Sequence, residues 1–100
     1  MKLITAIVRT TRLDDVVHSL QRKGIHGMTI SEIKGLGDEI PLSGAYTIHD
    51  RIELIVPDDQ EEAAVDVLRD HGCIGMRGDG IIAVQHLDYA VKIRTGEKLT

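Results

Sequence analysis

Apolar residues fall along the chain in short blocks whose spacing alternates between two periods. Residues 3–9, Leu-Ile-Thr-Ala-Ile-Val-Arg, form an apolar run rich in β-branched side chains and read as a central strand covered on both faces. From Leu13 the spacing changes: Leu13, Val16, Val17 and Leu20 keep the i, i+3, i+4, i+7 pattern of an amphipathic helix. Asp14 and Asp15 sit in its first turn, where the helix dipole favours negative charge, and Gly24 is its stop. Met28 to Lys34 alternates apolar and polar positions and predicts a half-buried strand running into Gly35-Leu36-Gly37. Residues 51–56 alternate again and end at Pro57. Between them, residues 38–50 contain Pro41 and Gly44 and keep no period, which predicts a surface loop of about a dozen residues, a length more often functional than accidental. Asp58 and Glu61 have the spacing of a capping box, opening a helix whose buried face carries Ala64, Val67 and Leu68 and whose stop is Gly72. A second glycine-rich stretch, residues 75–80, precedes a strand at Ile81-Ile82-Ala83-Val84.

The order β-α-β-β-α-β predicts an α+β, ferredoxin-like domain: one four-stranded antiparallel sheet with two helices on one face. Ile4, Ala6 and Val8 alternate with Leu3, Thr5 and Ile7, so both sheet faces carry apolar groups, and the bare face is expected to pack against copies of the same chain. At 100 residues the chain is read as a single domain, residues 1–100.

Composition narrows the function classes. Two tyrosines and no Phe or Trp leave an aliphatic core and almost nothing on which bases could stack, which argues against a nucleic-acid platform. A formal net charge of −4 argues equally against general affinity for phosphate backbones or anionic membranes. Cys73 is the single cysteine, excluding an intramolecular disulfide, and no stretch is long and apolar enough for membrane insertion. Together these suggest a cytoplasmic protein. His71 and Cys73 stand two apart with no further ligand pair, so no metal site is expected, and Cys73 reads as a small buried apolar residue.

Three segments carry candidate chemistry: Lys34-Gly35-Leu36-Gly37, residues 75–80 and residues 92–97. Glycines let backbone N–H groups approach a phosphate, and Lys or Arg neutralises it. Taken one at a time they are turns with exposed charges, common in any fold. In this order, however, they resemble the PII signal-transduction family. The resemblance covers nearly the whole chain, through Leu13-Asp14-Asp15-Val16, Gly27-Met28-Thr29, Glu32-Ile33-Lys34-Gly35-Leu36-Gly37, the stretch Ile52-Glu53-Leu54-Ile55-Val56-Pro57-Asp58-Asp59, Gly78-Asp79-Gly80 and the closing Ile93-Arg94-Thr95-Gly96-Glu97.

The resemblance implies a homotrimer holding adenine nucleotides in clefts between neighbouring subunits. Residues 75–80 would be the phosphate-cradling loop, with Gly78, Asp79 and Gly80 in it. Lys92 and Arg94 would clamp the phosphates from the adjacent subunit. Thr29, Gly35 and Gly37 resemble positions near adenine and ribose, and Glu53 and Val56 would line the same cleft. Residues 38–50 would form the large loop that meets a protein partner. Tyr46 lies in it, and Lys34 and Arg51 at its base are candidates for capturing a small anion.

Three departures from the family pattern shape the functional expectation. The loop before Ile52 is shorter than in the usual nitrogen-regulating members. Ile81 stands where the family usually has a lysine reaching the terminal phosphate, which favours ADP or AMP over ATP, since a charge-assisted hydrogen bond is worth about 1.5–3 kcal/mol. Glu39 stands near the place of a glutamine that helps to hold magnesium and 2-oxoglutarate, and its charge would repel a dicarboxylate. By analogy with variant members, the expected effectors are adenylates with bicarbonate, no prosthetic group is needed, and the target is a transporter or carbon-fixation component. The alternatives are a nitrogen-type regulator answering to ATP and 2-oxoglutarate, a small nucleotide-hydrolysing enzyme drawing on Glu53, Asp79 and Glu97, and a purely structural module. No nucleophile with a matching base is recognisable, so no catalytic residues are assigned and a binding protein is expected rather than an enzyme.

Overall fold

The computed structural model describes residues 1–36 and 46–100. The chain forms β1 (Lys2–Arg9), α1 (Leu13–Arg22), β2 (Thr29–Gly35), β3 (Thr47–Val56), α2 (Glu61–Gly72) and β4 (Gly80–His86), then β5 (Ala90–Val91) and β6 (Lys98–Leu99). The first four strands make one antiparallel sheet in the order β2-β3-β1-β4, and β5 and β6 pair as a small antiparallel hairpin. This is the ferredoxin-like arrangement.

The alternation of β1 decides where the core lies. Ile4 stands opposite Leu54 of β3 and Val84 of β4, and Ala6 opposite Ile52 and Ile82. Ile4, Ala6, Ile52 and Leu54, with Val8 and Val56, are covered by Val16 and Leu20 of α1 and Ala64, Val67 and Leu68 of α2, all inside one buried cluster; Ile82 packs against it half-buried, and Val84 on the edge strand is exposed. Each fully buried Leu or Ile contributes about 1.5–3 kcal/mol, so the core draws its stabilisation from aliphatic side chains without aromatic rings. Helix α1 ends as its glycine predicts. Gly24 takes φ +82°, its N–H donates to the Gln21 carbonyl at 2.9 Å, and the Ile25 N–H donates to the Leu20 carbonyl at 3.1 Å. That is the Schellman pattern, closed by contact between two buried residues, Leu20 and Ile25.

The other sheet face carries Leu3, Thr5 and Ile7 beside Ile55, Glu53 and Arg51 on one flank and Gln85, Ala83 and Ile81 on the other. Among the described residues β1 is therefore covered on one face, not on both. Ile55 and Ile81 are 51% and 66% exposed.

Two local expectations are corrected and one element is added. Residues 47–50, read as loop, belong to β3, and Asp50 is a buried position on the helix-covered face, opposite Val8 and Glu32, with Oδ2 lacking a hydrogen-bond partner. Of the rest of that loop, residues 38–45 lie outside the described residues. The capping box does not form. A short 3-10 turn, Asp58–Gln60, precedes α2, no side chain caps either element, and Asp58 instead accepts from the Met1 amine at 2.8 Å. The β5–β6 hairpin had no signal in the apolar pattern because each strand is two residues long. Among the described residues no helix is long and apolar enough to cross a membrane.

Candidate functional site

The turn between α2 and β4 is built around one carboxylate. Asp79 Oδ1 accepts from Arg9 Nε at 2.9 Å and from the Ile74 N–H at 3.2 Å, while Oδ2 accepts from the Gly75 and Met76 N–H groups at 3.0 and 3.2 Å and from the Cys73 thiol at 3.4 Å. Successive N–H groups converging on an anion form a nest, here filled from within the chain. The Asp79 side chain is thus the organiser of its loop, turned inward. Arg9 also donates through Nη2 to the Arg77 carbonyl, and His49 Nε2 lies 2.8 Å from the Gly78 carbonyl. A carbonyl only accepts, so that imidazole nitrogen carries the proton.

The Arg9 guanidinium, followed by the donated N–H groups and thiol, outweighs desolvation and holds the Asp79 carboxyl well below the ordinary range, at about 2. A carboxylate whose folded pKa is depressed stabilises the fold fully above the unfolded value of about 3.9, and that contribution is lost as pH falls through the folded value. The loop is therefore expected to stay ordered at pH 4 and to open near pH 2. A carbon-detected titration of the Asp79 carboxyl reads this directly, and a midpoint at 4 would refute it.

Gly78 and Gly80 both lie in or at the end of this loop with positive φ. Cys73 is exposed rather than buried, bound to the loop through its thiol. Nothing in an apolar pattern could have shown that Arg9, His49 and Cys73 serve the loop. Arg9 and His49 are a cross-strand pair at the ends of β1 and β3, visible only once the register is known.

The remaining positions fall into separate groups. Thr29 pairs with Glu53 in register, and Gly35 pairs with Thr47, whose hydroxyl donates to the Gly35 carbonyl at 3.2 Å. All four lie on the open face of the sheet. Val56 does not: its side chain is 2% exposed, within the core, and the neighbour facing the open side is Ile55. Val56 is corrected on that ground, since strand alternation points the two residues to opposite faces. Gly37 lies outside the described residues, as does Glu39. Lys34 and Arg51 stand on opposite sheet faces by the same alternation and do not converge on one anion. Lys34 Nζ is 5.7 Å from the centroid of the exposed Tyr46 ring, and Arg51 pairs with Glu53 at 3.3 Å.

Lys92 and Arg94 are carried by the turn of the β5–β6 hairpin. Lys92 Nζ lies 3.4 Å from Glu97, and the adjoining Ile93 is wholly exposed. This hairpin follows the His86 end of β4, whereas the Asp79 loop enters at the Gly80 end. Seven strand residues, about 20 Å, separate them. The cavity beside the loop, lined by residues including Val8, Leu68, Cys73 and Asp79, holds about 220 Å³. Ligand pockets usually hold about 300–1,000 Å³.

Comparison with known proteins agrees with this architecture. The family described as nitrogen regulatory protein P-II matches residues 1–97. The nitrogen regulatory protein P-II of Bradyrhizobium diazoefficiens is 39% identical over 106 residues, covering 97% of this chain and 95% of its own length. The nitrogen regulatory protein P-II 1 of Methanothermobacter thermautotrophicus is 36% identical, with 97% and 92% covered, and the nitrogen regulatory protein GlnK of Escherichia coli K12 is 34% identical, with 97% and 95% covered. Alignments of 106 positions exceed the 100 residues of the chain, so these relatives hold residues with no counterpart here. With the family matched over nearly its full length and the β-α-β-β-α-β fold in place, the chain belongs to the nitrogen regulatory protein P-II family of signal-transducing regulators.

Proposed function

We propose that the chain is a homotrimeric sensor that binds an adenine nucleotide between neighbouring copies and reports its presence through residues 38–50 to a protein partner. One observation carries this reading: the glycine loop and the cationic hairpin are attached at opposite ends of β4, which favours the hairpin of another copy for their joint use on one ligand. The open apolar face gives such copies a surface on which to meet. Gly78 and Gly80 then supply the approach for phosphate, Arg94 and Lys92 the charge, and Thr29, Gly35 and Glu53 the wall for base and sugar.

Ile81 has no donor for a terminal phosphate, which favours ADP or AMP over ATP. Bicarbonate is the proposed second effector, and the target is a transporter or carbon-fixation component. The printed names of the relatives favour a second reading, a nitrogen-type regulator answering to ATP with 2-oxoglutarate.

Calorimetric titration with ATP, ADP and AMP, each repeated with bicarbonate and with 2-oxoglutarate, separates the two. Binding of ADP or AMP that shifts with bicarbonate supports the first; ATP binding that needs 2-oxoglutarate supports the second. Under either, Arg94→Ala is expected to weaken nucleotide binding about tenfold, or about 1.4 kcal/mol. Equal affinities of variant and parent would remove Arg94 from the site.

A further inference from the structure

Three consecutive loop residues are held by two adjacent side chains on the open sheet face. Arg9 takes the Arg77 carbonyl and the Asp79 carboxylate, and its cross-strand neighbour His49 takes the Gly78 carbonyl. The β-carbon position of Gly78 lies 3.4 Å from Arg9 Nη2, so the glycine backbone lies against the guanidinium. Arg9 closes β1, a central strand bonded on both sides and fixed in the core. His49 has a different setting. It is the third residue of β3, in the stretch through which the chain returns from residues 37–45 to the sheet. That stretch pairs with Arg9 on one side and with Ile33, Lys34 and Gly35 on the other.

We propose that His49 is a positioning residue that couples the glycine loop to the start of β3, with Arg9 as the fixed arm and the His49–Gly78 hydrogen bond as the transmitting one. A shift of the Gly78 carbonyl on the order of 1 Å would stretch this bond beyond hydrogen-bonding distance. Its formation or loss then biases residues 46–50, and by reciprocity anything that reshapes residues 46–50 biases the loop. The proposal supplies a physical link for the sensor reading above and rests on that reading only for what reshapes the loop in the cell. The link itself is a property of the unliganded chain.

Amide hydrogen exchange of the whole unliganded protein tests it. A buried or half-buried hydrogen bond contributes about 0.5–1.5 kcal/mol, and local exchange follows the local opening free energy. His49→Ala is expected to raise exchange up to about tenfold across residues 75–80 and leave Ile4 and Leu54 in the core unchanged. Asp79→Asn is expected to raise it in residues 47–50 across the link. His49→Gln, whose amide still donates to the Gly78 carbonyl, is expected to restore protection to within about threefold, which a merely bulky role for the ring would not require. Unchanged exchange at residues 75–80 in His49→Ala, or an equal rise at Ile4 and Leu54, overturns the coupling. Adding ADP, AMP and ATP in turn to the parent protein then separates the two ideas. If one of them binds and residues 46–50 do not respond, the coupling fails while the sensor reading stands. If ADP, AMP and ATP all fail to bind but the reciprocal loosening is observed, the sensor reading fails while the coupling stands.

Discussion

Gly80→Ala is expected to destabilise the domain by about 4 kcal/mol and to lower Tm by on the order of 20 °C, the sum of a forbidden backbone conformation and a steric conflict. Gly80 has φ +105°, and a β-carbon built on it would lie 1.8 Å from the Ile7 carbonyl oxygen and 2.8 Å from the Ile7 carbonyl carbon. Both are backbone atoms of a central strand, so no side-chain rotation relieves the contact. Relief requires β4 to give up its first rung, the pairing of Val8 with Gly80, and with it the anchor of the Asp79 loop. Gly27→Ala is the matched control: nothing lies within 4 Å of its β-carbon position and its φ is not in the left-handed range, so a change within about 0.5 kcal/mol is expected. Thermal unfolding followed by circular dichroism compares the two. A Gly80→Ala protein within 1 kcal/mol of the parent would show that the β1–β4 junction can relax, contrary to the register. The glycine was legible in the sequence as a phosphate-approach residue, yet the closer constraint on it is the neighbouring strand. Loss of nucleotide binding in this variant would therefore report the strand junction before it reported phosphate contact.

The legible part of the fold was the part governed by periodicity. β1, α1 and α2 each present a repeating apolar face to the same core, so spacing alone placed Ile4, Val16, Leu20, Val67 and Leu68 together. The Gly24 stop was legible for a similar reason, since one residue type alone fits the backbone there without penalty. Two of the failures, Asp50 and Asp58, are positions at which a polar residue does something other than its commonest task. Asp50 broke the alternation of β3 and moved the expected strand start to residue 51, although its side chain is buried. Asp58 had capping spacing but found a stronger partner in the Met1 amine. Val56 inherited a cleft position from the resemblance, whereas alternation from Ile52 and Leu54 already assigns it to the core. In the candidate site, glycines and cations were found by type. The side chains that hold it, Arg9 and His49, act across 29 to 70 positions of sequence separation and emerge only from strand register.

Ile55→Glu is expected to reduce the proposed trimer to single chains while leaving the fold of each chain intact. Within one chain Ile55 is half exposed on the open face, directly opposite Leu3 of β1, and a glutamate there keeps most of its hydration, so the cost to the monomer is within about 0.5 kcal/mol. Between packed copies the same carboxylate loses its water and gains no designed partner, and a buried uncompensated charge costs about 3–5 kcal/mol. Every copy in a symmetric assembly carries the substitution, so the penalty recurs at each interface. Ile55→Val keeps the surface apolar and is expected to keep the assembly. Sedimentation equilibrium of the parent and both variants, with far-ultraviolet circular dichroism as the check on folding, reads the outcome. Single-chain mass with unchanged dichroism for the glutamate variant alone supports packing through this face. An unchanged assembled mass would instead place the contacts elsewhere, and would leave Thr29, Gly35 and Glu53, which share the open face, without a neighbouring copy to complete their site. Nucleotide titration of the monomeric variant extends the argument: with no second hairpin to bring Arg94 to the loop, binding should fall at least as far as in Arg94→Ala.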